Sequence, residues 1–333
     1  MRSSTVILTF EAAVARYERF AGIHKAPSLH PYYVQMDAQR DPSLEPHFFC
    51  YEEDGESYYH GFHRARIPNT PFFDIQSPYG YGGPLATTED PEFLRRAASS
   101  YKAWCQDSNI LAEFIRFHPI LENWRFYHGE TFLDRETVWI NLEVDYSKEY
   151  KKRLKSILSS SARRGLQVEW DLVDQETFKA IYRARMEELR ANRHYFFNDA
   201  YFSQAFNWEH AHLALCHEQG TPIAAALFLV ENGAAEYHLA AATPLGLQLG
   251  APSLILHEAA GWARTRGCRY LHLGGGTDRD PENRLLFFKA AFSNLRADFR
   301  IGAYVHDAEA YQTLKVTWSS LYGEVPNRVL FYR

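Results

Sequence analysis

Apolar and polar positions along the chain follow two periods. Short apolar or alternating runs mark strands at His47–Tyr51, Tyr58–His63, Phe72–Ile75, Leu111–Phe117 and Thr137–Leu142 in the first half. In the second half they mark strands at His212–Cys216, Ile223–Val230, Ala235–Ala240, Tyr270–Leu273 and Asp298–Val305. Between them, apolar residues recurring every three or four positions predict helices at Pro91–Asp107, Lys148–Ser161, Gln175–Asn192, Pro252–Arg266 and Arg284–Asn294. Such alternation predicts an α/β or α+β architecture. No long linker or low-complexity tract separates the halves. A weak repeat pairs Phe73–Phe117 with Glu236–Leu273, each a strand, a Pro/Gly loop, an alanine-rich helix and a second strand. That self-similarity implies a duplicated fold.

Leu271–Phe292, LHLGGGTDRDPENRLLFFKAAF, carries the most chemical information. Gly274, Gly275 and Gly276 lack a Cβ, which lets the backbone take φ > 0 and another molecule approach closely. Pro281 suits a helix start, and Asp278 and Asp280 are the candidate capping side chains. Leu285, Phe288 and Phe292 then share one helix face, with Lys289 at its edge. A cation beside an apolar wall and a glycine-lined opening suits an anionic or carbonyl-bearing ligand. A glycine-rich turn before a core helix whose lysine snorkels to water fits the same residues.

The pattern GGG, a polar gap and LLxFKxxF resembles the FemAB-like branch of the GNAT superfamily. That family includes the aminoacyl-tRNA-dependent enzymes that build peptidoglycan interpeptide bridges. SPYGYGGP (Ser77–Pro84), YRARMEELRANRHYFFNDAYF (Tyr182–Phe202) and EYHLAAATPLGLQLGAPSLILHEAAGWARTRG (Glu236–Gly267) resemble further family segments, in the family's order. The resemblance implies two tandem GNAT-like acyl-CoA N-acyltransferase domains, each a mixed, twisted sheet flanked by helices. On this basis residues 1–145 form the first domain and 146–316 the second, with Thr317–Arg333 the candidate to return and complete the first.

The same resemblance assigns candidate roles. Lys289 supplies positive charge, and Glu236 and His238 are the nearest candidates for a base, although none stands out. Tyr237 and the three glycines hold the acyl group against Phe288 and Phe292. Tyr79 and Tyr81 can stack on or hydrogen-bond an acceptor that Gly80, Gly82 and Gly83 let approach. A surface loop with packed tyrosines accounts equally for that segment. The phosphate-binding loop corresponds to Ala242–Pro252, ATPLGLQLGAP, with Gln248, Gly250 and Ala251 as its cofactor-binding candidates. Gly246 comes too early and no second glycine follows at the right spacing, so the loop departs from the acetyl-CoA signature. A turn and helix start fits these residues as well.

Composition narrows the partners. The 333 residues allow two domains. With 46% hydrophobic and 23% charged residues, the chain can bury full cores. A net charge of −5 argues against dedicated DNA or bulk RNA binding, while leaving room for a local patch that binds a charged tRNA. Cys50, Cys105, Cys216 and Cys268 form no CxxC pair, which fits buried thiols in a reducing compartment. The apolar run before Glu11 is too short for a signal-peptide core, and no stretch approaches a membrane span. These features predict a cytoplasmic protein. His210 and His212 lie close but lack a third ligand in sequence, so no metal is assigned. Arg163 and Arg164, before Gly165, either complement a helix C-terminus or face phosphates.

Two functions fit. One is acyl or aminoacyl transfer to an amine or hydroxyl of a cell-envelope or polysaccharide precursor, with no tightly bound cofactor and aminoacyl-tRNA or acyl-CoA as donor. The acceptor is then a nucleotide-sugar or peptide precursor, attacking the activated carbonyl directly. The other is a non-catalytic duplicated fold that binds such a molecule, or an ordinary acetyl-CoA-dependent N-acetyltransferase.

Overall fold

The computed structural model describes residues 3–22, 25–171, 174–280 and 282–333, so Pro281 lies outside the described residues. The chain divides into two compact units, Met1–His24 with Ser28–Asp134 and Asp298–Arg333, and Lys25–Pro27 with Arg135–Ala297.

In the first unit β1 (Ser3–Ile7), α1 (Phe10–Tyr17) and α2 (Pro31–Ala38) precede a meander of β2 (Leu44–Glu53), β3 (Glu56–Arg66) and β4 (Phe73–Gln76). After β5 (Leu85–Ala86), α3 (Pro91–Asp107) leads into β6 (Ile110–Arg116), and the unit is completed by β13 (Arg296–Val305) and α10 (Ala308–Tyr322). The strand order is β1-β2-β3-β4-β6-β13, with β5 on β3. Helix α3 starts where the sequence directs. Pro91 fills its first turn, the Asp90 carboxylate accepts from the Phe93 amide, and Phe93, Ala97, Tyr101 and Cys105 form its buried stripe. They pack on Phe49, Phe62, Ile75 and Ile115.

The second unit runs through β7 (Glu130–Asn141), α4 (Lys152–Arg163), β8 (Gln167–Trp170), α5 (Gln175–Glu188), α6 (Asp199–Phe206), β9 (Ala211–Glu218) and β10 (Thr221–Glu231). It continues with β11 (Ala234–Ala242), α7 (Pro244–Leu249), α8 (Ala251–Thr265), β12 (Tyr270–Gly275) and α9 (Arg284–Lys289). Its strand order is β8-β9-β10-β11-β12-β7. Strand β10, an apolar run buried from Ile223 to Leu229, is central, and α8 buries Leu254, Ile255, Ala259 and Ala263.

The two units share a plan. Each has one parallel strand pair joined through a helix, β4 with β6 across α3 and β11 with β12 across α8, and antiparallel ladders around it. These are the two halves of the repeat seen in the sequence. The last strand of each set is exchanged: β7 follows β6 but pairs with β12, while β13 follows β12 but pairs with β6. The units accordingly divide at 134/135 and 297/298, inside strands, whereas the sequence places the divisions at 145/146 and 316/317. No polar or Gly/Pro-rich stretch marks a boundary that runs through a β-strand.

All four cysteines are buried free thiols. Among the described residues no helix is long and apolar enough to cross a membrane.

Candidate functional site

The parallel ladder between β11 and β12 stops early. Ala234, Ala235 and Glu236 pair with Tyr270, Leu271 and His272, and there the pairing ends, although β11 continues to Ala242 and β12 to Gly275. Irregularities on both strands explain the parting. On β11, Tyr237 lies opposite Phe228 and Leu239 opposite Leu227, so His238 is an extra, bulged residue. On β12 the register against β7 slips between His272 and Gly274, where Gly274 takes φ +75°. A bulge bends its strand locally, and both bulges fall where the pairing ends.

Lys289 sits at this opening. Its ammonium donates to the Gly275 carbonyl at 2.8 Å and lies 5.9 Å from the centre of the Tyr237 ring. It thus touches both strands just beyond their last pair. The side chain does not snorkel to water, since Lys289 is only 7% exposed. Burial pushes its ammonium down to about 7. At the bulge on β11, the Tyr201 hydroxyl and His238 Nε2 are 2.5 Å apart. Tyr201 comes from the YFFNDAYF segment on α6, and the sequence assigned it no role. Glu236 is buried on β11, opposite His272.

Several assignments change. Helix α9 ends at Lys289 rather than Asn294, and its N-cap is Asn283, whose Oδ1 accepts from the amides of Leu285 and Leu286. Asp278 and Asp280 instead accept from the Asp280 and Glu282 amides in the preceding turn. Leu285 is exposed and does not belong to the apolar face. Phe292 is fully buried against Tyr150 and Phe288, a core residue rather than a ligand contact. The protein itself occupies the space that the glycines leave open. A Cβ on Gly275 would meet the Glu136 carbonyl at 2.9 Å, and one on Gly276 the Asn283 amide oxygen at 2.6 Å.

The segment matched to a phosphate loop is helical. Thr243 caps α7 through its hydroxyl, Gly250 takes φ +77°, and α8 begins at Ala251. The amides of Gly246, Leu247, Gly250, Ser253 and Leu254 all bond within this turn, and Pro244 and Pro252 have none. Gln248 is exposed on α7, Ala251 is core, and a Cβ on Gly250 would strike Ile157 at 2.4 Å. These residues do not fit a pyrophosphate cradle, which needs amides that point outward.

In the first unit, Ser77–Pro84 joins β4 towards α3 and is tied down along its length. The Arg116 guanidinium donates to the Ser77 and Pro78 carbonyls, the Tyr79 amide donates to Asp37, and the Tyr33 hydroxyl donates to the Tyr79 carbonyl at 2.6 Å. Gly80 and Gly83 take positive φ, and a Cβ on Gly82 would meet Ser77 at 2.9 Å. Tyr79 and Tyr81 are half-buried, with the Tyr81 ring edge-on to His118 and Phe299. The glycines serve the turn.

The remaining candidates follow the simpler alternative. Arg163 and Arg164 are exposed at the end of α4, before Gly165 at φ +70°. His212 pairs with Asp171, and His210 lies 3.1 Å from the Val230 carbonyl.

Residues 147–282 match the sequence profile of the acetyltransferase (GNAT) domain. That span holds the splayed strands, the His238 bulge and α8. The similarity to solved structures extends over nearly the whole chain. FemX superposes with a TM-score of 0.70 at 13% identity, over 94% of this chain and 100% of that one. The C-terminal DUF2156 domain of a protein assigned as a lysylphosphatidylglycerol synthetase from Agrobacterium fabrum gives 0.60 at 14%, over 93% and 97%. L-PGS from Bacillus licheniformis gives 0.57 at 14%, over 95% and 96%. At these identities the likeness is one of fold, and the fold is that of FemX and these synthetases. A search of curated protein sequences finds no match.

Proposed function

We propose that this GNAT-fold protein transfers an acyl or aminoacyl group from an activated donor to an amine, or a hydroxyl, of a cell-envelope or polysaccharide precursor. The observation that carries this is the Lys289 ammonium, held at the parting of β11 and β12 by the Gly275 carbonyl and the Tyr237 ring. Strands that part leave main-chain groups without a ladder partner, and such groups can hold an acyl chain's carbonyl. The acceptor nitrogen attacks the carbonyl carbon and its bond to the donor oxygen or sulfur breaks. The amine proton passes to the His238–Tyr201 pair or directly to the leaving group. Lys289 offsets the negative charge that builds on the carbonyl oxygen.

The donor we favour is aminoacyl-tRNA rather than acyl-CoA. The Thr243 amide donates to the Ile223 carbonyl, and those of Gly246, Leu247, Gly250, Ser253 and Leu254 bond within their own turn, which weakens the usual hold on a CoA pyrophosphate. The fold shared with the lysylphosphatidylglycerol synthetases supports an envelope lipid or a peptidoglycan precursor as acceptor.

Purified protein incubated with labelled aminoacyl-tRNA and, separately, labelled acetyl-CoA, each with nucleotide-sugar peptide precursors or phosphatidylglycerol vesicles, tests this. Label should move from aminoacyl-tRNA to an acceptor, and calorimetry should show acetyl-CoA binding weaker than micromolar. Micromolar or tighter acetyl-CoA binding with acetyl transfer would make this an ordinary N-acetyltransferase. Binding of a precursor without transfer from either donor would leave a non-catalytic binding protein.

A further inference from the structure

The first unit contains a cluster of side chains that the transfer chemistry does not use. Glu113 on β6, His128 just before β7 and His306 just after β13 converge, each offering a ligand atom within 4.8 Å of the other two. Their side chains are 0%, 2% and 1% exposed. His128 Nε2 lies 3.2 Å from one Glu113 oxygen, and His306 Nε2 lies 3.7 Å from the other. Neither nitrogen makes a hydrogen bond among the described residues.

We infer that Glu113, His128 and His306 bind one divalent transition-metal ion, with zinc the best match. Two imidazoles and a carboxylate form a familiar ligand set for such ions. Around a tetrahedral zinc with bonds of ~2.1 Å, ligand atoms stand about 3.4 Å apart. The two nitrogen–oxygen separations lie on either side of that value, each to its own oxygen of the Glu113 carboxylate. The shell around the ligands is already in place. Tyr101 and Tyr127 donate their hydroxyls to the two Glu113 oxygens at 2.7 and 2.9 Å, fixing the carboxylate while each oxygen keeps a lone pair. His60 also lies close, with both ring nitrogens unbonded among the described residues.

Charge points the same way. Glu113 is fully buried, and its only ion-pair partners among the described residues are the two histidines. A buried carboxylate without a cation is costly, and a dication on neutral imidazoles removes that cost. The ion would join strands far apart in sequence, clipping the exchanged strand β13 to β6.

The test uses full-length protein stripped with a chelator and then exposed to zinc chloride or cobalt(II) chloride. One zinc should bind per chain and raise the melting temperature, and cobalt should give visible absorption typical of nitrogen and oxygen ligands. His128→Gln and His306→Gln should each weaken zinc binding by at least the roughly 10–100-fold that follows loss of a mere orienting group. Both should keep a wild-type circular dichroism spectrum at low temperature. His210→Gln should bind as wild type. If either ligand variant fails to fold, X-ray absorption of the zinc-loaded wild type decides, two imidazoles being required. Stripped, folded wild type that takes up neither ion would overturn the site, as would unchanged affinity in both ligand variants.

Discussion

Lys289 concentrates what a residue can do here. If its charge stabilises the developing oxyanion, Lys289→Ala should lower turnover by ~10²–10³-fold, and Lys289→Arg should restore only part of it. Its burial adds a test that needs no substrate. A free lysine titrates near 10.4, and this one is depressed to about 7. Between those values the unfolded chain holds a proton that the folded chain has released, so folding stability gains as pH rises through that window. Below pH 7 the full cost of the buried charge is present. Lys289→Met carries no such charge. Urea midpoints at pH 6.5 and pH 9.5 should therefore move in favour of the wild type relative to the Met variant as pH rises. A difference that stays constant across that range would show that Lys289 keeps an ordinary affinity for its proton. The sequence flagged this lysine and placed it at the edge of the apolar stripe rather than on the solvated side, without fixing how deeply it is buried. Helical spacing locates a residue on a face, and only the packing of Gly275 and Tyr237 around Lys289 shows that the face is covered.

At the scale of elements, long periodic segments were legible and short ones were not. All ten strands predicted from the alternation are present, and α3 keeps its predicted limits of Pro91 and Asp107. The strands missed are β1, β5 and β8, which are short or lie at an edge with mostly exposed or half-buried positions, so no apolar pattern betrays them. Of the missed helices, α1, α2, α6 and α7 have eight residues or fewer, near the length at which periodicity becomes indistinct, while α10 has fifteen but buries only Tyr311 and so carries no clear apolar stripe. Helix α7 had functional consequences, because it turns a presumed phosphate loop into a self-bonded turn. Gly246 shows how tightly that turn is seated. A Cβ there would stand 2.1 Å from the Ile223 carbonyl of β10, whereas one on Gly261, inside α8, meets nothing nearer than the Tyr146 hydroxyl at 3.6 Å. Gly246→Ala should destabilise the protein by ~1–3 kcal/mol. Gly261→Ala should leave stability unchanged or raise it by up to ~1 kcal/mol. Equal midpoints for the two variants in chemical denaturation would show that α7 is not packed against β10 in this way.

For the whole molecule, the sequence revealed duplication but not exchange. A repeat appears as similarity between segments, whereas the partner of a strand is a long-range choice that leaves no local trace. The exchange predicts an asymmetry in folding. The second unit is nearly continuous, with Val138, Ile140, Leu271 and Phe292 in one core drawn from Arg135–Ala297. The first unit takes β13 and α10 from the far end of the chain, and Tyr311, Leu330 and Phe331 pack with Ile67, Leu111 and Ala112 there. Without Asp298–Arg333, β6 loses its β13 ladder from Ala112 to Arg116, and that core is exposed. A fragment of residues 135–297 should unfold cooperatively in denaturant, and residues 1–134 alone should give a poorly dispersed NMR spectrum. Adding residues 298–333 to 1–134 through a flexible linker should restore dispersion, because the cost of closing a longer loop grows only slowly with its length. A cooperative, well-dispersed 1–134 fragment would show that β13 is an accessory to the first unit rather than part of its core.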